Sequence, residues 1–254
     1  MRRHPMSTHA NTTVATDGSH VVAFFGSEGL YCYDMDGNLL WDKDFGTLKS
    51  VFFVSEGAEW EFASSPVIHD GTVIVQCDVF ENSFVAALDI ETGEKIWRAE
   101  RDEYPGWSTP NIYKYNGKDY VVVNDGSVLA MRLNDYFLAY DFKTGDEVWK
   151  MSGGGDIPIP TPIVSDELLY FNSAHGRSSP VLAVRKDASG DITLNEGDTT
   201  NTGVKWSWPR GGSYLHTMLL YNGYLYSVHF NGKITCMDAG NGEIIFREKN
   251  WQGR

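Results

Sequence analysis

The stretch Ala87-Leu88-Asp89-Ile90-Glu91-Thr92-Gly93-Glu94-Lys95-Ile96-Trp97 decides the fold. Ala87 to Asp89 alternates small and polar residues around one bulky side chain, as the end of a strand does. Glu91-Thr92-Gly93 supplies turn chemistry, with Gly93 free to take positive φ. Glu94 to Trp97 resumes the alternation and closes on a large apolar side chain. The segment reads strand, tight turn, strand.

The pattern returns along the chain. Ala139-Tyr140-Asp141-Phe142-Lys143-Thr144-Gly145-Asp146-Glu147-Val148-Trp149 matches it position by position. Cys236 to Phe246 repeats it with Phe in the Trp slot, and Cys32 to Trp41 repeats it with one turn residue fewer. A degenerate copy opens at Leu182-Ala183-Val184, carries a long insertion and ends at Val204-Lys205-Trp206. The closing aromatics stand at 41, 97, 149, 206 and 246, in steps of 56, 52, 57 and 40 residues. Self-similarity at roughly 40–50 residues with strand-like content marks propeller blades.

A second motif keeps step with the first. Ser65-Pro66, Thr109-Pro110 and Thr161-Pro162 open three units; Thr13 to Gly18 and Thr217 to Gly223 hold the slot without proline. Each opening leads to a β-rich run such as Val73-Ile74-Val75 or Tyr120-Val121-Val122-Val123. One unit therefore reads strand, Asp-Gly or Asn-Gly turn, strand, loop, strand, Thr-Gly turn, strand, which is a four-stranded antiparallel meander. The predicted fold is all-β, a β-propeller-type array of about five four-stranded blades. The blades span 7–44, 60–100, 107–150, 156–208 and 213–248 of a single repeat domain, 1–254.

A sheet with two apolar faces cannot bury both alone, so blades must stack. Trp41, Trp97, Trp149, Trp206 and Phe246 are expected to pack between neighbouring blades, behind turns made by Gly93, Gly145 and Gly242. The insertion at 186–203, rich in Asp, Thr, Gly and Asn, reads as a surface excursion. The last eight residues read as a fraying end.

Composition excludes several classes. The chain of 254 residues carries 21 Lys and Arg against 34 Asp and Glu, a net charge of −13, without the basic clusters that phosphate backbones require. Nucleic acid is not an expected partner. No apolar run is long enough to span a membrane as a helix. Met1-Arg2-Arg3-His4-Pro5 does not lead into a signal-peptide core, so the chain as written reads as cytoplasmic, or as periplasmic or extracellular if an upstream segment is missing. The three cysteines, Cys32, Cys77 and Cys236, form no C-x-x-C and read as core thiols. The seven histidines show no paired metal spacing, and Asp34-Met35-Asp36-Gly37 reads as a hairpin turn rather than a calcium loop.

The unit Ser/Thr-Pro, Asp-Gly, Ala-x-Asp-x-x-Thr-Gly-x-x-x-Trp resembles the pyrroloquinoline quinone (PQQ)-like β-propeller repeat. It is carried best by Ser65-Pro66 with Ala87 to Trp97 and by Thr109-Pro110 with Ala139 to Trp149. That repeat occurs in quinoprotein alcohol dehydrogenases and in the non-catalytic propeller lipoprotein of the bacterial outer-membrane assembly machine. The resemblance implies a ring of seven or eight blades. Eight blades need ~360–400 residues at ~45–50 each, so the chain reads as an incomplete arc of such a ring. Exposed blade faces invite self-association.

The resemblance also implies what a quinone enzyme needs: a disulfide between adjacent cysteines, calcium held by Glu, Asn and Asp, and an Asp base. No two cysteines here are adjacent, and no repeat places Glu, Asn and Asp at one matched position. The expected function is a non-catalytic binding or scaffold module for protein partners, with no cofactor. The alternatives are a fragment of a PQQ-dependent quinoprotein dehydrogenase, with PQQ and calcium, and a carbohydrate-binding propeller. Propellers bind where inner strands begin. Trp60, Glu61, Trp107, Asp156, Tyr214 and His216 lie at those starts and form the candidate site, an aromatic and acidic mouth suited to a peptide loop or a glycan. The competing reading is that Trp60, Trp107 and Tyr214 only plug a channel.

Overall fold

β-Branched and aromatic runs bounded by two-residue turns leave the chain one economical solution, the antiparallel meander. The computed structural model describes residues 7–8, 10–50, 59–124, 136–155, 157–174 and 179–249. Within them lie five sheets. The first comprises β1 (Ala15–Thr16), β2 (His20–Phe24), β3 (Leu30–Asp34) and β4 (Leu39–Lys43); the second comprises β5 (Val67–His69), β6 (Thr72–Cys77), β7 (Phe84–Asp89) and β8 (Lys95–Glu100). The third holds β9 (Asn111–Tyr115), β10 (Lys118–Val123), β11 (Tyr136–Asp141) and β12 (Glu147–Ser152); the fourth holds β13 (Ile163–Val164), β14 (Leu168–Asn172), β15 (Val181–Arg185) and β17 (Val204–Trp208). The fifth holds β18 (Leu219–Tyr221), β19 (Tyr224–Val228), β20 (Lys233–Asp238) and β21 (Ile244–Lys249). The predicted all-β blade array is the observed architecture. The described residues hold one 3-10 turn, Gly26–Glu28, and no helix long and apolar enough to cross a membrane.

The turns follow from their residues. Asp70-Gly71, Asn116-Gly117 and Asn222-Gly223 all take positive φ at both positions, the type I′ geometry that matches strand twist. At the second turn the repeated Asp caps the loop with its side chain. Asp89 Oδ1 accepts from the backbone N–H of Glu91 and Thr92 at 3.0 and 2.9 Å, and Gly93 N–H closes the turn onto Asp89 O at 2.8 Å. Asp238 does the same for Gly240 and Asn241. Asp34 receives Asp36 and Asn38, so this stretch is the hairpin turn expected of it.

Residue contacts group the chain into two compact units: 1–110 with 142–146, and 111–141 with 147–254. In the first unit, Val22, Phe24, Leu30, Cys32 and Trp41 pack against Val73, Val75, Phe84, Ala86 and Leu88. The Trp41 indole donates to Ile90 O at 2.7 Å, and the Trp97 indole to Phe142 O at 2.8 Å. Each ring lies flat on the turn glycine that follows. A Cβ built on Gly93 falls 2.7 Å from Trp41, and one on Gly145 falls 2.6 Å from Trp97. These glycines are required twice over, for positive φ and for the close approach of the ring.

The second unit repeats the device once and departs from it once. Trp206 donates to Ala239 O at 3.0 Å and covers Gly242. Trp149 has no such turn to meet, because the fourth sheet carries the insertion there. Its indole donates to Tyr113 Oη at 3.2 Å, and the insertion closes over it. Ala188 and Ile192 are buried in the same cluster as Trp149, and the short strand β16 (Gly190–Asp191) pairs parallel with β12, giving the third sheet a fifth strand. The insertion is therefore a patch over an uncovered tryptophan, which corrects its reading as a surface excursion. Trp149 is fully buried as a result.

A polar clamp also holds the first two sheets. His20 Nδ1 lies 3.0 Å from Asp17 Oδ2, and its Nε2 lies 3.6 Å from Glu91 Oε2. The hydrogen bond to Asp17 raises the His20 pKa above its usual value; the same bond, with the Ser19 and His20 backbone N–H groups, lowers that of Asp17 to about 2.

Two outcomes follow for stability. Burying an indole contributes ~4–6 kcal/mol gross at ~25 cal/mol/Å², so Trp97→Ala costs about 3–5 kcal/mol in urea unfolding. Trp97→Phe, which loses mainly the indole donor, costs nearer 1 kcal/mol. The protonated His20 contributes stability that is fully present below pH 6.5 and is lost as pH rises through the raised folded pKa; Asp17 contributes above pH 3.8 and loses its share as pH falls through about 2. The thermal midpoint therefore declines on the alkaline side of pH 6.5, and His20→Asn flattens that limb.

Candidate binding face

In an antiparallel meander, the start of the first strand and the end of the second lie at one end of the sheet. The tight turns lie at the other. The longer loops of every sheet therefore gather at its first-strand start, where the sequence placed the candidate residues.

In the first unit, three of those residues meet. Trp107 Nε1 donates to Glu61 O at 2.9 Å, and Trp60 lies next to Glu61 in sequence, its N–H donating to Ser50 O at 3.2 Å and its O accepting from Ser7 Oγ at 2.6 Å. Glu61 is buried at φ 63°, a conformation rare outside glycine. Its backbone is pinned on both sides, since its N–H also donates to Glu59 Oε1 at 3.1 Å. Glu59 Oε1 further accepts from Ser50 N–H at 2.9 Å. Two buried glutamates thus hold the loop leading into β5.

Below this loop lies an ion pair that the sequence did not reveal. Arg101 Nε donates to Asp78 Oδ1 at 2.7 Å, with both side chains at most 1% exposed. Gln76 Nε2 donates to the second carboxylate oxygen. Arg101 N–H bonds Ser83 O, Gly106 N–H bonds Asp78 O, and Ser83 Oγ bonds Val79 O. The pair fastens the connector 101–107 to the end of β6. Its one sequence signal was a charge set directly after the unbroken run Thr72 to Cys77. In the loops that follow β2 and β6, Phe25 and Phe80 stand 37% and 38% exposed, and Trp60 and Trp107 are half-buried.

The second unit repeats the scheme with amides. Asn124 Nδ2 donates to Pro160 O at 2.6 Å, and Asn172 Nδ2 donates to Ser213 O at 3.1 Å. Ser213 Oγ lies 3.2 Å from His216 Nδ1, a nucleophile–base distance. The hydroxyl is fully buried and donates to Val228 O at 2.6 Å, so it serves the loop and not a substrate. Tyr214 is half-buried, its phenol pKa raised by that burial, and His216 is exposed. Leu215 and Phe230 project at 48% and 78% exposure. Asp156 lies outside the described residues. At the opposite, tight-turn end, a groove of about 520 Å³ mixes Arg185, Lys186 and Lys205 with Asp166, Glu167 and Asp187.

The adjacent-cysteine disulfide that the quinoprotein resemblance implies has no counterpart among the cysteines. Cys32, Cys77 and Cys236 are free, buried and on three separate strands. Burial pushes the Cys32 thiol to about 11 and Cys77 up as well, which keeps both protonated and inert. Among the described residues no three His, Cys, Asp or Glu side chains gather as a metal site.

With this geometry in place, the relatives can be set beside it. A family model described as outer membrane protein assembly factor BamB matches residues 3–248. Methanol dehydrogenase (cytochrome c) subunit 1 of Methylobacterium organophilum is 32% identical over 127 residues, 49% of this chain and 18% of its own length. Outer membrane protein assembly factor BamB of Yersinia pestis is 27% identical over 190 residues, 73% of this chain and 42% of its own. The crystal structure of BamB from Moraxella catarrhalis superposes with a TM-score of 0.63 at 17% identity, covering 96% of this chain and 66% of that one. At that identity the likeness shows the fold alone. The chain spans less than half the length of these two curated relatives.

The buried pair gives a measurable consequence. Arg101→Leu leaves Asp78 buried without its cation and costs about 3–5 kcal/mol in urea unfolding. Adding Asp78→Asn restores part of the loss. A surface pair would cost less than about 1 kcal/mol.

Proposed function

Because the chain belongs to the PQQ-like β-propeller family described as outer membrane protein assembly factor BamB, we propose that it is a non-catalytic binding module for protein partners, acting through the loop ends of its sheets. The observation that carries this reading is a division of roles at those ends. Polar side chains that a catalyst would expose are buried: Asp78 and Arg101 pair with each other, and Asn172 and Ser213 donate to backbone carbonyls. Aromatic side chains at the same loop ends, Phe25, Phe80 and Phe230, are exposed to solvent. Exposed aromatics on a rigid, hydrogen-bonded base are what protein recognition uses as anchors. The relative named for assembly of outer membrane proteins supports an envelope context, and the partner chemistry that suits isolated aromatic anchors is an extended segment alternating apolar and polar residues.

The quinoprotein reading draws on the identity to methanol dehydrogenase over half of the chain. The scattered, protonated cysteines weigh against it. The glycan reading asks Trp107 to serve as an open platform, whereas its indole N–H is engaged by Glu61 O.

The test is fluorescence anisotropy with labelled amphipathic strand peptides drawn from outer-membrane β-barrels. The wild-type chain binds them, and Phe80→Ser or Phe230→Ser weakens binding on the order of 30-fold, matching ~2 kcal/mol for a lost anchor. Thermal midpoints stay within a degree or so, since both residues are exposed. Equal affinity in both variants, or a stoichiometric absorbance change on adding PQQ and calcium, refutes the proposal.

A further inference from the structure

The contact that joins one sheet to the next has two sides, and the chain repeats both in register. On the donating side of the first sheet, Val22 pairs with Cys32 and Cys32 with Trp41. In the fifth sheet, Tyr226 pairs with Cys236 and Cys236 with Phe246 at the same positions. The first set is buried against the second sheet. In the fifth sheet the counterpart ring is partly open: Phe246 is 38% exposed while Cys236 is buried and Tyr226 half-buried, and beside them Val228 is 40% and Tyr221 61% exposed.

The receiving side shows the converse. In the second sheet, Ala86, Leu88, Ile90 and Gly93 take up Trp41 and its neighbours. Their counterparts in the first sheet are Tyr31, Tyr33, Met35 and Gly37. Ile90 is 3% exposed and Met35 60%. The Trp41 ring lies 2.7 Å from a Cβ built on Gly93, whereas nothing lies within 4 Å of one built on Gly37. Among the described residues the first sheet thus carries a socket with no ring in it, and the fifth a ring with no socket.

We propose that copies of this chain associate head to tail, with the open face of the fifth sheet of one copy seated on the open face of the first sheet of the next. The contact continues the register that joins sheets within each unit, and such a heterologous contact links different patches of identical molecules. The exposed parts of the apolar side chains on the two faces, at roughly 150–250 Å² per whole aromatic, amount to several hundred Å². An interface of the ~1,200–2,000 Å² specific class draws the rest of its area from the backbone and polar edges around them. The net charge of −13 per copy opposes association, so salt strengthens it by screening.

The test is solution mass by light scattering and sedimentation over a concentration series. The wild-type chain rises from 28.4 kDa toward multiples of it, more so as salt goes from about 0.05 to about 0.5 M. Phe246→Asp removes the ring and Met35→Asp blocks the socket; each variant alone stays at 28.4 kDa. An equimolar mixture of the two regains one contact, the intact socket of the first against the intact ring of the second, and stops at a dimer. The milder Phe246→Ser and Met35→Ser, checked by circular dichroism, give the same readout if an aspartate disturbs folding. A wild-type chain that stays at 28.4 kDa throughout, because its ends close on themselves or await a different protein, overturns the proposal. So does association that survives either variant, or a mixture that stays monomeric.

Discussion

The flat contact of an indole ring on a turn glycine is the constraint on which the structure rests. A four-stranded meander has two apolar faces and little stability alone. In three sheets the tryptophan of the outer strand makes one contact geometry, because its N–H has a fixed backbone acceptor and its ring a fixed floor. Trp41 on Gly93, Trp97 on Gly145 and Trp206 on Gly242 are three instances of a single contact. The floor must be glycine, since any Cβ would occupy the ring's place. The Asp at the start of each turn is required to hold that floor at the right height.

The exception confirms the physics. Where the fourth sheet has no Thr-Gly turn, Trp149 would face solvent or a void. The chain meets this with an added strand and two buried aliphatics, Ala188 and Ile192, and hands the indole N–H to a tyrosine hydroxyl. A polar composition concealed this, because only two residues of the insertion had to be apolar for it to act as a cover.

The loop ends show a different economy. Arg101 pairs with Asp78 in the interior, and Glu59 accepts from the backbone of Ser50 and Glu61. Buried ion pairs contribute little net stability and a good deal of geometric definition. In the same loop ends Phe25 and Phe80 are exposed. That arrangement suits recognition, and a fold hosts whatever its surface residues allow.

Much of the architecture was legible in the sequence because it is local. Strand alternation, Asp-Gly and Asn-Gly turns, the Asp-x-x-Thr-Gly step and its aromatic are all set by residues within a dozen positions of one another. They determined the number of blades and their strand order, and three of the five aromatics expected to pack between sheets, Trp41, Trp97 and Trp206, do so. What only the tertiary structure decided is non-local. Asp78 meets Arg101 across 23 positions, and Trp107 meets Glu61 across 46. Ile192 reaches Trp149 through a segment with no strand signal of its own. Nor could spacing tell that Gly37 and Phe246 lack the partners their counterparts have. A pattern in sequence names the contact a residue is built for, and whether the other half of that contact is present depends on what folding brings within reach.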